Sequence, residues 1–233
     1  MLLKEVLEHL SYGELSQLTI GGSTLGSTDA GAYPQIVSYI NLGLMDLYKK
    51  FLLSEKEVII QQFANINEYI VDSANSVSDG SATYQYVRDS VLFPFENDLL
   101  KIENVFDEEG TPLPLNDCND DTSVFTTRYD TLYVQSPNDE NALSVIYRAA
   151  PVKLSTTSPD PDTMEIFLPD VLLTALLAFI GHRVHKPLSG ETNRQSSDYL
   201  GTYLALCAEA DLYGSTNKDQ TDNHFKFSDN GWV

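Results

Sequence analysis

The chain has 233 residues, enough for one large domain or two small ones, and its 42% hydrophobic and 21% charged content is that of an ordinary globular protein. Asp and Glu number 34 against 14 Lys and Arg, a formal net charge of −20, which excludes a surface that grips nucleic acid through clustered bases. That charge fits solubility, a basic partner, or a channel wall along which like-charged DNA slides.

In chain order, residues 2–10 place Leu3, Val6, Leu7 and Leu10 on one side of a short amphipathic helix. Acids at Glu5 and Glu8 and the lack of a cleavage site argue against a signal peptide. Residues 11–32 are rich in Gly, Ser and Thr and read as a loop. Gly21, Gly22 and Gly26 lie in it, without the Lys that a phosphate-binding loop needs. Over 34–53, Ile36, Ile40, Leu44, Leu47 and Phe51 recur at helical spacing, and Pro34 suits the first turn.

Strands rich in β-branched residues are predicted at 57–63 and 68–71, as a pair, then at 83–87, 99–105, 123–127, 131–134 and 143–147. Turn signals separate them, as at 107–110 and 136–139. Many short strands at short spacing predict a small antiparallel barrel or sandwich. The lobe is acidic: residues 89–147 hold thirteen acids and two bases, Lys101 and Arg128.

Residues 151–162, with three prolines, read as a connector. A helix opens at Leu168-Pro169-Asp170, with Pro169 in its first turn. It is apolar almost all round through Val184, which marks it as central to a bundle. A break at 187–190 precedes a last helix carrying Tyr199, Leu200, Tyr203, Leu204, Cys207 and Leu206 or Ala210, ending at Gly214. The longest apolar stretch, 171–180, is too short to span a bilayer.

Chemistry-bearing patterns are sparse. Asp117-Cys118-Asn119-Asp120-Asp121 resembles a calcium loop but has Thr122 in place of its glycine and Arg128 in place of its bidentate glutamate, so a solvated turn is expected. His182 and His185 share a helix face without a third ligand, and fit a helix C-terminus. Cys118 and Cys207 form no metal or redox motif, consistent with folding in a reducing cytoplasm. No catalytic residue, cofactor or metal site is expected. Phe225, Phe227 and Trp232, at the polar C-terminal end, are the candidate partner-binding anchors.

The resulting fold expectation is α+β. A helical bundle is built from both ends of the chain (1–54 and 164–213), with an inserted antiparallel β barrel or sandwich lobe (55–163) and an extended C-terminal tail (214–233). The layout resembles the head-to-tail connector, or head-completion, proteins of tailed bacteriophages, nearest in plan to the tail tubular protein A or gatekeeper group. The residues that carry the resemblance are Ile40-Asn41, Leu44 and Leu47-Tyr48; Leu168-Pro169; Gly190-Glu191-Thr192-Asn193; and Tyr199 with Tyr203. It implies a ring, usually of twelve copies, at the neck of the virion after assembly in the host cytoplasm. The portal protein would bind the tail at Phe225, Phe227 and Trp232, and a further tail or nozzle component would follow. DNA would pass through without specific binding, and no membrane is involved. The alternative reading is a receptor-binding or baseplate-type module whose β lobe uses Tyr84, Tyr86, Tyr129 and Tyr133 against a ligand.

Overall fold

The computed structural model describes residues 1–16, 30–78, 80–139, 141–157, 159–185 and 191–212. It is an α+β protein of two compact units, one of Met1–Leu53 with Pro151–Val233 and the other of Ser54–Ala150.

In the first unit, α1 (Leu3–Tyr12) buries Leu3, Val6, Leu7 and Leu10, its apolar stripe. The Glu5 carboxylate accepts the Leu2 N–H at 3.0 Å, satisfying a donor at the helix start. The N-terminus is tied to the later chain where Leu3 N–H donates to the Met164 carbonyl at 2.9 Å and Ile166 N–H to that of Met1 at 2.8 Å. A 3-10 turn, Ala30–Ala32, leads into α2 (Tyr33–Lys50), which has Pro34 in its first turn. The predicted helix ran to 53; it stops at Lys50 because Phe51 turns extended and is buried.

The second helical stretch starts later than predicted. Pro169 is extended and precedes a 3-10 turn, Asp170–Leu172, so it stands before the first turn rather than in it. The α-helix proper, α3 (Leu173–His185), has every residue from Ala175 to Gly181 buried. A helix hidden on all sides is central, and α3 packs against α1, α2 and α4 (Glu191–Leu212). Residues 151–157 and 159–163 contact this unit: Asn41 exchanges two 2.9 Å hydrogen bonds with the Leu154 backbone, and Lys4 pairs with Asp162.

The second unit holds β1 (Glu55–Gln61), β2 (Glu68–Ile70), β3 (Val87–Arg88), β4 (Leu99–Phe106), β5 (Pro112–Leu113), β6 (Val124–Arg128), β7 (Thr131–Val134) and β8 (Ala142–Ala149). These form a five-stranded sheet, β3-β1-β8-β4-β5, and a three-stranded sheet, β2-β7-β6, with every strand pairing antiparallel. Among the described residues the strands form two open sheets and close no barrel. Side chains of both sheets share one core, including Val58, Ile60, Val145 and Tyr147 from the first and Tyr69, Val124 and Leu132 from the second. The expected pairing of 57–63 with 68–71 is wrong: β1 pairs with β8 from Glu55↔Arg148 to Gln61↔Ala142, and β2 pairs with β7. The strand expected at 83–87 shrinks to Val87–Arg88, and Tyr86 instead plants its hydroxyl on the Ile70 backbone.

Candidate interaction surfaces

The most exposed apolar cluster lies just after β3. Val91, Leu92 and Phe93 are 84%, 84% and 81% exposed. They ride on a tight turn in which Phe93 N–H donates to the Ser90 carbonyl at 2.9 Å. The base of the turn is clasped by Asp89. Its carboxylate accepts Ser78 N–H at 2.9 Å, Ser78 Oγ at 2.5 Å and Phe95 N–H at 3.0 Å. Burial pushes the Asp89 carboxyl up, but these donors outweigh it and hold it below the ordinary carboxylate value. Three large side chains are thus displayed on a backbone fixed from beneath.

Beside this turn runs a cleft of about 670 Å³ between β1 and residues 88–96. Since β3 covers β1 at Ile59 and Ile60, the cleft opens along the first half of β1. Lys56 crosses it to Glu96 at 2.8 Å and Asp98 at 2.6 Å, and the Tyr147 hydroxyl donates to Asp98 at 3.0 Å. Burial, with the neighbouring Asp98 charge, pushes the Tyr147 phenol well above its ordinary value, so it stays a proton donor.

On the helical unit, α4 buries Tyr203, Cys207 and Ala210 and leaves Leu200, Leu204 and Leu212 exposed. The apolar residues of α4 therefore fall on two sides, one buried and one exposed.

The sequence candidates separate as follows. Phe225, Phe227 and Trp232, the glycine-rich stretch 21–27 and the break at 187–190 lie outside the described residues. Asp117 caps Asn119 N–H at 2.9 Å, and Asp120 accepts Thr122 N–H at 2.8 Å, so both carboxylates hold their own turns. His182 and His185 engage different neighbours: Nδ1 of His182 lies 2.9 Å from the Ser196 carbonyl, and Nε2 of His185 lies 3.2 Å from that of Glu14. Among the described residues no group of three or more His, Cys, Asp or Glu is placed to hold a metal ion. Of the four strand tyrosines, Tyr86 is buried, while Tyr84, Tyr129 and Tyr133 are exposed.

Residues 91–93 escaped the sequence reading. The signal was there: an uninterrupted Val-Leu-Phe run before Pro94 has no period-two alternation and is too short for a helix.

Exposed apolar patches such as residues 91–93 and Leu200 with Leu204 are features of proteins that bind other proteins. An SU10 adaptor protein family model matches residues 11–224, and the chain belongs to that family. It is a phage adaptor protein and so a component of the virion. A search of curated proteins finds no match. Among the described residues no helix is long and apolar enough to cross a membrane.

Proposed function

We propose that this adaptor is a non-enzymatic ring protein of the connector type, twelve copies joining the portal to the tail, with DNA passing through its centre. The observation that carries the reading is that each compact unit offers its own exposed apolar surface: the turn at 91–93 on the β unit and the outer side of α4 on the helical unit. A protein that must hold copies of itself and also bridge unlike neighbours needs more than one such surface. The portal is engaged by the C-terminal tail through Phe225, Phe227 and Trp232, and the clasped turn engages the next tail or nozzle component. The net charge of −20 supports a lumen on which DNA does not stick. The chain assembles from the host cytoplasm onto the neck.

The competing reading, a β-lobe ligand module, loses support from the burial of Tyr86, which removes one of the four aromatics from any open platform. Electron microscopy of native particles labelled with an antibody against this chain tests the proposal. Label at one vertex between capsid and tail is expected; label at the distal tail would overturn it in favour of the ligand module.

A further inference from the structure

Two acidic turns of the β unit meet across one cleft. Asp107, Glu108 and Glu109, from the turn between β4 and β5, and Asp121, just before β6, line a space of about 420 Å³. Its floor is apolar and comes from both sheets: Leu113 and Leu143 from the five-stranded one, Val124 and Val134 from the three-stranded one. Among the described residues no Lys or Arg lines it.

The four acids divide into two pairs. Asp107 accepts Glu109 N–H at 3.0 Å and Thr111 N–H at 2.7 Å, and Glu108 accepts Ala142 N–H at 2.6 Å, so these two hold the backbone of the rim. Glu109 and Asp121 are exposed, and among the described residues their carboxylates have no hydrogen-bond or ion-pair partner. Acids on a rim are by themselves only what a solvated turn makes. The wall adds a second observation. Gln62 lines the cleft and is 5% exposed. Its Oε1 accepts Asn138 N–H at 3.1 Å, which fixes the orientation of the amide. Nε2 is then the free end, and among the described residues it has no acceptor, although buried polar groups are ordinarily paired.

The cleft therefore asks for three things: an acceptor for Gln62, an apolar stem for the floor and a positive charge for Glu109 and Asp121. A backbone carbonyl with an arginine or lysine side chain supplies all three, since these side chains bury their methylenes and keep the charged head outward. Arginine fits better, because its planar fork matches carboxylates.

We infer that this cleft receives an arginine side chain from an exposed loop of a neighbouring virion protein. A second copy of this chain would bring its own charge of −20 against an acidic rim, whereas a basic neighbour is drawn to it. The inference needs the chain to be an adaptor and is independent of the number of copies in a ring.

The test is a nuclear magnetic resonance titration of the full chain with N-acetyl-arginine methylamide, using N-acetyl-norleucine methylamide as the uncharged control. The arginine probe is expected to shift the Gln62 side-chain amide and the Glu109 and Asp121 N–H signals saturably. Glu109→Gln with Asp121→Asn is expected to keep the melting point, both positions being exposed, and to weaken the probe at least fivefold. Shifts that never saturate and spread over every acidic turn, or equal binding by the double variant, would reduce the cleft to a solvated rim. Equal binding of the norleucine probe would overturn the arginine assignment. Particles assembled with Glu109→Lys and Asp121→Lys in one chain are expected to lose tail attachment at least tenfold. Full attachment by that variant would overturn the use of the cleft by a virion neighbour.

Discussion

Tyr203 of α4 donates its hydroxyl to the carboxylate of Asp46 on α2, across 157 residues of sequence. Lys50 closes the group, with Nζ 3.0 Å from the Tyr203 oxygen, 3.0 Å from Asp46 and 4.2 Å above the Tyr203 ring. On the other side the ring meets Phe179 of α3 edge-on at 5.3 Å. One side chain therefore fastens three helices, and it belongs to a helix whose opposite side is left open. Removing its hydroxyl tests the packing of the helical unit.

Tyr203→Phe keeps the ring packing and deletes the hydroxyl. A hydrogen bond to a charged group contributes about 1.5–3 kcal/mol, but Asp46 and Lys50 are 40% and 36% exposed and remain paired, so a loss of about 1 kcal/mol is expected. For a chain of this size that lowers the melting temperature by about 3 °C, readable by circular dichroism.

The same group gives a pH dependence. Burial pushes the Asp46 carboxyl up, while hydrogen bonds from Tyr203 and Lys50, with the charges of Lys50 and Lys49, hold it below its ordinary value. A depressed folded-state value means the unfolded chain takes up the proton first. The stabilisation is complete above about pH 4, the ordinary carboxylate value, and is lost as pH falls through the lower folded value. Urea midpoints of wild type and Asp46→Asn, measured from pH 6 downward, are expected to differ above pH 4 and to converge in acid. Parallel curves would show that Asp46 contributes nothing through its charge.

Two helical glycines are expected to respond in opposite directions to alanine. At Gly43 a Cβ would stand 2.6 Å from Leu176 Cδ1 and 3.0 Å from Phe179 Cδ1, where α2 and α3 approach each other. Overpacking costs about 1–3 kcal/mol, against a gain in helix propensity of about 1 kcal/mol, so Gly43→Ala is expected to be neutral to destabilising by about 2 kcal/mol. At Gly201 there is no clash, and Gly201→Ala is expected to stabilise the monomer by about 0.5–1 kcal/mol. Chemical denaturation of both variants compares them directly.

What the sequence disclosed follows the physics of each element. Ile36, Ile40, Leu44 and Leu47 sit in one helix whose spacing is local, so α2 was legible almost to its end. The all-apolar run from Ala175 to Gly181 announced a central helix for the same reason. Pairing was not legible, because β1 finds β8 more than eighty residues away and nothing within EKEVIIQ specifies that partner. β5 starts at Pro112 and has two residues, too few for any periodicity. On α4, Leu200 and Leu204 look like continuations of the Tyr199 and Tyr203 face; only the packing shows that they point elsewhere. The site lagged furthest, since its proposed anchors at 225, 227 and 232 fall outside the described residues.

The clasped turn separates fold from contact. Leu92→Ser alters a side chain that is 84% exposed, so stability is expected to stay within about 0.5 kcal/mol of wild type. Asp89→Ala instead strips the acceptor from Ser78 and Phe95 and is expected to cost about 1–3 kcal/mol. If residues 91–93 engage the next tail component, both variants lose pull-down of that component from assembled necks, but only Asp89→Ala lowers the melting point. Normal tail attachment by Leu92→Ser would remove the turn from the interface.

The tail makes a complementary claim about the portal. Aromatic residues dominate interface energetics, a single buried Trp commonly contributing 2 kcal/mol or more, about thirtyfold in affinity. Deleting residues 218–233 removes Phe225, Phe227 and Trp232 together while leaving every described helix and strand in the chain. Portal binding, followed by surface plasmon resonance, is expected to disappear, and the far-ultraviolet spectrum to keep its helical and strand signals. Trp232→Ala alone is expected to weaken binding by roughly thirtyfold if Trp232 is the principal anchor. Undiminished portal binding by the truncated chain would shift the portal contact to the helical unit or the β unit.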